Sequence, residues 1–259
     1  FNNNFELVPE FSSEVNLKRS IHAFYSQFEG ERGKWDYITG IRIEIADRIL
    51  ELKDKANTID ETFKFGFTKL YPSASLQYRI NDNTHLKAAY SKRVERTSTF
   101  KMNPFPEREH SETLEQGDPE LKPEFADLAE LSINKKTNRG NSVFVTGYYR
   151  RVQNVVNRVN TIYNDTILNR IYSNVGDAKA IGLELGAYLK PIENWSNFIG
   201  TNIYDYKIIG EFENRQFNTN AMVYSINLNS TYSFWQKSLL QFTFNYLSER
   251  ITAQGEDSR

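Results

Sequence analysis

Over long stretches of this chain the apolar residues fall on every second position, and that period restricts the fold more than any other feature. From Gly182 to Leu189, the residues Leu183, Leu185, Ala187 and Leu189 alternate with Gly182, Glu184, Gly186 and Tyr188. Met222, Tyr224, Ile226, Leu228, Tyr232 and Phe234 alternate with Ser225, Asn227, Asn229, Thr231 and Ser233, interrupted by Ser230. Leu240, Phe242, Phe244 and Tyr246 alternate with Gln241, Thr243 and Asn245. Successive side chains of a strand point to opposite faces, so a period of two in aromatic and β-branched residues means strands with one apolar and one polar face.

The rule recurs upstream. Trp35, Tyr37, Ile41, Ile43 and Ile45 oppose Asp36, Gly40, Arg42 and Glu44, and Ala74, Leu76, Tyr78 and Ile80 oppose Ser73, Ser75, Gln77 and Arg79. Leu86, Ala88 and Tyr90 oppose Lys87, Ser91 and Arg93, while Ala129, Leu131 and Ile133 oppose Glu130, Ser132 and Asn134. Segments 15–28 and 142–157 read as extended without a clean face, so their registers stay unassigned. Ile45–Leu52 also satisfies helical spacing; it is read as strand to about Ala46, then as a loop with room for a short helix.

Turn formers place short connections at Gly30–Lys34, Asn81–Thr84, Lys135–Asn141, Pro191–Asn194 and near Gln236. Polar stretches predict long links around 48–70, 95–124, 158–170 and 210–220. The expectation is an all-β chain without a domain boundary: an antiparallel meander of about ten long strands in five hairpins, repeating roughly every 50 residues.

A two-faced strand can belong to a soluble sandwich, such as a secreted adhesin or lectin, or to a membrane barrel. Sandwich strands run about 5–6 residues with turns every 8–12. These run roughly 10–15, enough for the tilted crossing of a bilayer by 9–11 residues. Alternation of short turns and long links, and tryptophans beside short turns (Trp35, Trp195, Trp235), fit an outer-membrane barrel with an aromatic girdle. A quarter of the chain is charged, yet none of the apolar-face positions named above is. The longest apolar run, Ala221–Tyr224, excludes a membrane-spanning helix within these residues. A net charge of −1 with mixed signs argues against a nucleic-acid surface, and the absence of cysteine removes disulfides and thiolate chemistry.

Between residues 90 and 124 stand Tyr90-Ser91-Lys92-Arg93, Asn103-Pro104-Phe105 and Gly117-Asp118-Pro119-Glu120-Leu121-Lys122-Pro123-Glu124. Together they resemble the YSRR, NPF and GNPxLKPE signatures of TonB-dependent receptor barrels, with Asp118 in place of the usual Asn. Asn174-Val175-Gly176-Asp177 with Gly182-Leu183-Glu184-Leu185 looks like that family's NxG…GxEL strand start, and Gly40–Glu44 is similar to its GxRxE strand. The matches span about residues 14–250 in consistent order and lie nearest the Bacteroidetes-type outer-membrane subgroup. The resemblance implies a transmembrane barrel of about twenty-two strands. Residues 1–259 then form an internal part of it, starting and stopping in long loops at Phe1 and around Gly255–Arg259. The plug domain and the carboxy-terminal strands are absent from this stretch. It also implies a Gram-negative outer-membrane location, outer-membrane lipid around the wall, and the plug and TonB system as partners in the full-length protein. The ligand is an unspecified small nutrient or glycan.

No catalytic constellation is evident, and no cofactor or metal site is expected. The histidines, His22, His85 and His110, lack convergent ligand spacing. The acidic loop Glu107, Glu109, Glu112, Glu115, Asp118 and Glu120 lacks the spacing of a calcium loop. Charges on the polar faces, Arg42, Glu44, Arg79, Lys87, Arg93, Glu130, Glu184 and Lys190, are the lumen-facing candidates. Their bland reading is cross-strand ion pairing, each pair worth up to about 1 kcal/mol. Two functions remain open: nutrient uptake without covalent chemistry, or a non-transporting surface barrel or soluble β-rich module that binds polysaccharide or protein.

Overall fold

In a computed structural model, residues 12–55, 59–110, 112–137, 140–164, 167–235 and 238–257 are described. The strands are β1 (Ser13–Arg32), β2 (Trp35–Asp54), β3 (Asp60–Asn81), β4 (Thr84–Glu95), β5 (Glu107–His110), β6 (Thr113–Gln116), β7 (Glu124–Lys136), β8 (Ser142–Asn164), β9 (Ile167–Ile192), β10 (Trp195–Phe212), β11 (Arg215–Phe234), β12 (Ser238–Leu247), β13 (Arg250–Thr252) and β14 (Gly255–Asp257). One short helix, α1, covers Thr99–Met102. Ten strands form a sheet in the order β1-β2-β3-β4-β7-β8-β9-β10-β11-β12, every neighbour antiparallel, with β5 and β6 off that path. The expected meander of five hairpins is therefore present. The last three residues described form a strand of the β13–β14 hairpin rather than a bare loop; the expected start in a loop at Phe1 lies outside the described residues.

Register separates the faces. Residues directly opposite each other in a ladder share a face. One line runs Glu31, Asp36, Gln77, Lys87, Ser132, Thr146, Glu184, Asn202 and Ser225 across nine strands, and all nine are polar. The adjacent line on the other face runs Tyr37, Leu76, Ala88, Leu131, Gly147, Leu183, Ile203 and Tyr224, without a polar aliphatic or charged side chain. The apolar outer face stays exposed, as at Leu131 (56%), Ile181 (65%) and Phe242 (57%). A protein in water hides such surface; a wall in lipid presents it.

Register also assigns the two ambiguous segments. In β1, His22, Phe24, Ser26 and Phe28 face outward beside Ile45, Ile43, Ile41 and Thr39. In β8, Val143, Val145, Gly147 and Tyr149 face outward, while Phe144 and Tyr148 are large residues on the inner face. The inward aromatics hid the alternation. They lie over Gly186 and Gly182 of β9, where a Cβ would collide with the two rings.

Three expected loops are strand instead. β2 continues to Asp54 rather than ending near Ala46, and no helix forms over Ile45–Leu52. The links expected at 158–170 and 210–220 are extensions of β8–β9 and β10–β11; the latter closes in a two-residue turn, Glu213-Asn214, with both φ angles positive (48° and 63°). The ladder needs only backbone partners, so strands continue past the bilayer where both faces become polar. Apolar periodicity ends at that level, and the sequence then reads as loop. The asymmetry between the two ends is thus carried largely by strand length.

At the short-turn end the aromatics gather as expected. Trp35 lies 4.6 Å from Tyr78 between ring centroids, Trp195 Nε1 donates to Ser230 Oγ at 2.9 Å, and Trp235 lies 5.7 Å from Phe234. From Trp35 to Ile45, β2 has the length of a bilayer crossing.

Candidate functional site: a polar inner wall and a pinned strap

The polar face of the sheet carries the charged candidates: register places Arg42, Glu44, Arg79, Lys87, Arg93, Glu130 and Glu184 there, and Lys190 follows by parity two residues beyond Tyr188 of β9. Their surroundings differ. Arg42 Nη2 lies 2.6 Å from Glu44, whose fully buried carboxylate also holds Arg96. Arg79 bridges Asp36 (3.3 Å) and Glu31 and donates to the Gly33 carbonyl at 3.0 Å, tying β3 to the β1–β2 turn. Lys87, Arg93, Glu130, Glu184 and Lys190 have no ion-pair partner within 4 Å among the described residues. Cross-strand pairing therefore accounts for Arg79, while Arg42 and Glu44 pair along one strand. The eight form a wall rather than one convergent pocket.

At the long-link end, residues 96–123 fold against the inner face as a strap. Leu50 and Leu52 of β2 pack with Met102, Phe105 and Leu121, flanked by Val15, Leu17, Phe63, Val156 and Tyr172. Arg48, buried at 6% exposure, pins this strap: Nη1 donates to the Leu121 carbonyl at 2.7 Å and Nη2 to the Pro119 carbonyl at 3.0 Å. Arg19 Nη2 donates to the Thr97 carbonyl at 2.9 Å. Neither arginine carries a sequence signal: Arg48 lies beyond Ala46, where the apolar alternation ends, and Arg19 lies in the 15–28 segment that shows no clean face.

The family-like motifs explain themselves here as architecture. Asn103 Oδ1 accepts from Phe105 N at 3.1 Å, and Asp118 Oδ1 accepts from Glu120 N at 2.8 Å, each closing a tight turn. A Cβ on Gly117 would strike the Lys101 backbone, so only glycine fits. Asn174 spans the strap and β8, accepting from Lys122 N at 2.7 Å and donating to the Asn154 carbonyl at 2.7 Å. Glu124 Oε1 accepts from Val156 N. Burial pushes the carboxyls of Asp118 and Glu124 above their ordinary range. β6 pairs in parallel with 168–171 of β9, covering an edge that extends beyond the β10 ladder.

Above the bulge at Val152/Val155, Asn154 adopts φ 57° and Gly176 φ 131°. The bulge re-aims the arm: Val156 and Tyr172 meet the strap, while Val155, Val159 and Val175 pack with Ile208 and Ala253 of the closing hairpin. His22 faces outward and His85 inward on separate strands. Among the described residues, no three His, Asp or Glu side chains gather as metal donors.

A wall of this kind, polar inside and greasy outside, matches one family model over its full length. Residues 1–259 match the outer membrane protein beta-barrel family. This chain belongs to that family. It is a barrel wall of the Gram-negative outer membrane, and its fold is that of TonB-dependent receptor barrels, as the motifs implied. The siderophore receptor PiuA from Acinetobacter baumannii superposes with a TM-score of 0.65 at 15% identity, over 91% of this chain and 34% of that one. The copper transporter OprC gives 0.58 at 16% identity, over 82% and 32%. The FrpB iron transporter from Neisseria meningitidis gives 0.55 at 12% identity, over 91% and 34%. The family member described here thus spans about a third of the length of these structures. No curated protein sequence matches it significantly.

Proposed function

We propose that this wall belongs to a receptor that imports a scarce nutrient across the outer membrane without covalent chemistry. The observation that carries the reading is the unbroken polar line across nine strands, from Glu31 to Ser225. A barrel whose interior is packed shut has no use for so continuous a hydrated surface; a lumen that holds water, ligand and a removable plug does. On this reading Arg42, Glu44, Arg79, Lys87, Arg93, Glu130, Glu184 and Lys190 line the lumen, and the plug and TonB-contacting segment are supplied by the rest of the full-length protein. The structures it superposes on are named for siderophore, copper and iron, so the ligand class to test first is a metal ion or a small metal chelate. The Bacteroidetes-type affiliation suggested by the motifs belongs to the same proposal.

The test is uptake of labelled ferric chelates and copper by cells carrying or lacking the full-length receptor, with and without inner-membrane energisation. Energy-dependent uptake lost on deletion supports transport. Surface binding without uptake would instead assign the barrel to ligand capture alone, and unchanged uptake and binding of every candidate would remove the proposal.

A further inference from the structure

Where the strap meets β2, cations outnumber the carboxylates that could balance them. Glu44 is taken by Arg42 and Arg96. Arg48 and Arg19 stand directly opposite each other in the β1–β2 ladder, an arrangement that is destabilising for like charges. Neither has an ion-pair partner within 4 Å among the described residues. Every acceptor that Arg48 reaches is neutral: the carbonyls of Leu121 and Pro119, Thr97 Oγ1 and Met102 Sδ. Its Nε–H is buried without an acceptor, and so is that of Arg96. Burial first, and then a neighbouring guanidinium, push Arg48 and Arg19 below the usual arginine range.

Arg19, Arg48, Arg96 and Thr97 line one small cavity together with Phe65 and Phe67. It leaves about 20 Å³ for the centre of a water-sized sphere. A single water needs about 10–15 Å³ on that measure, so the cavity admits one small occupant and excludes a phosphate or a metal chelate. The occupant must accept hydrogen bonds. Thr97 Oγ1 and the Thr97 carbonyl already accept from Arg48 and Arg19. Asp47, on the other face of β2, holds its carboxylate over Gly66. A water would bring two hydrogens to a wall of guanidinium groups and aromatic carbon. A single-atom anion brings none, and it supplies the charge that a buried guanidinium otherwise lacks.

We propose that a halide ion, chloride in the native setting, occupies this cavity among Arg48, Arg96 and Arg19 and locks the strap to β2. Arg48 belongs to the wall and Arg96 to the strap, so an ion shared between them binds the docked strap and not the detached one. The site is independent of which nutrient, if any, the barrel carries.

The experiment uses the full-length receptor in detergent, with sodium bromide exchanged for sodium isethionate at constant ionic strength so that screening stays fixed. Tryptic cleavage after Lys101 reports detachment of the strap. It should slow in proportion to 1 + [bromide]/Kd, about fivefold at four times Kd. Ala46→Val narrows the cavity without touching a charge and should abolish the difference between the two salts. Crystals of the wild-type receptor grown in bromide should show an anomalous peak between the Arg48 and Arg96 guanidinium groups, which tests the site even if the variant does not fold. Equal cleavage of wild type in the two salts, with or without such a peak, would mean an adventitious ion only and overturns the proposal. So does a cavity filled by water or by a carboxylate from elsewhere in the full-length chain, or a folded Ala46→Val receptor that keeps the full bromide response.

Discussion

Arg48 Nη1 donates to the Leu121 carbonyl at 2.7 Å, joining β2 to the strap more than seventy residues later in the chain. Its second nitrogen serves the Pro119 carbonyl. Arg48→Met keeps the apolar stem of the side chain and deletes both donors. Leaving buried carbonyls without partners costs about 1–3 kcal/mol each. The expected outcome is a strap that detaches while the wall stays folded: tryptic cleavage after Lys101 accelerates by at least tenfold, and the barrel melting temperature barely moves. Cleavage at the wild-type rate would show that the apolar cluster alone holds the strap.

Phe144 lies across Gly186, and Tyr148 across Gly182, on the inner face. Gly186→Ala places a methyl group inside the Phe144 ring and should destabilise the wall by about 1–3 kcal/mol, the usual cost of overpacking. Adding Phe144→Ala should recover part of that loss, because the clash disappears with the ring. Urea unfolding in lipid vesicles, followed by tryptophan fluorescence, measures the coupling. Additive losses in the double variant would mean that the glycine is required for another reason.

How much of this was legible in the sequence follows from where side chains meet a single environment. Along β2 from Trp35 to Ile45, lipid lies on one side and water on the other, and alternation reports both directly. Beyond Ile45 the outer face turns polar at Asp47 while the inner face becomes apolar at Leu50 and Leu52, since it now meets the strap. The pattern inverts without the strand ending, which is why the segment read as helix or loop. That the charged candidates share the polar face of the sheet was legible, because parity alone places them there. Arg48 was not, because its partners are backbone carbonyls of a distant loop and carry no sequence signal. The motifs announced the family, but only contacts such as Asn174 with Lys122 reveal that they hold the strap in place.

Asp118 is a half-buried carboxyl in the strap, raised above its ordinary value chiefly by desolvation, against the opposing pull of the Glu120 amide and Arg48. A raised acid binds its proton more tightly when the strap is docked than when it is free. Docking is therefore penalised at neutral pH and strengthened as pH falls towards the carboxylate range. Glu124, raised by the same cause, adds in the same direction. Hydrogen exchange of the Leu121 amide, corrected for intrinsic rate, should slow between about pH 7 and about pH 5. Asp118→Asn should flatten that dependence. Faster corrected exchange on acidification would contradict the sign.

Leu131 and Ser132 are consecutive residues of β7 on opposite faces, Leu131 between Ala88 and Gly147 and Ser132 between Lys87 and Thr146. The assignment of lipid to one face and water to the other makes opposite demands on the two positions. An arginine at Leu131 projects into hydrocarbon, where the cost is about 2–4 kcal/mol near the midplane. The same residue at Ser132 enters a hydrated surface beside Thr146 and Glu130, with Lys87 the like charge directly opposite, and should cost less than about 1 kcal/mol. Leu131→Arg and Ser132→Arg, compared by reversible unfolding in phospholipid vesicles, therefore separate the faces with identical chemistry one residue apart. Equal losses would mean that both faces meet the same medium, which a wall between lipid and water excludes. A greater loss at Ser132 would place the lipid on the polar side and refute the wall described here.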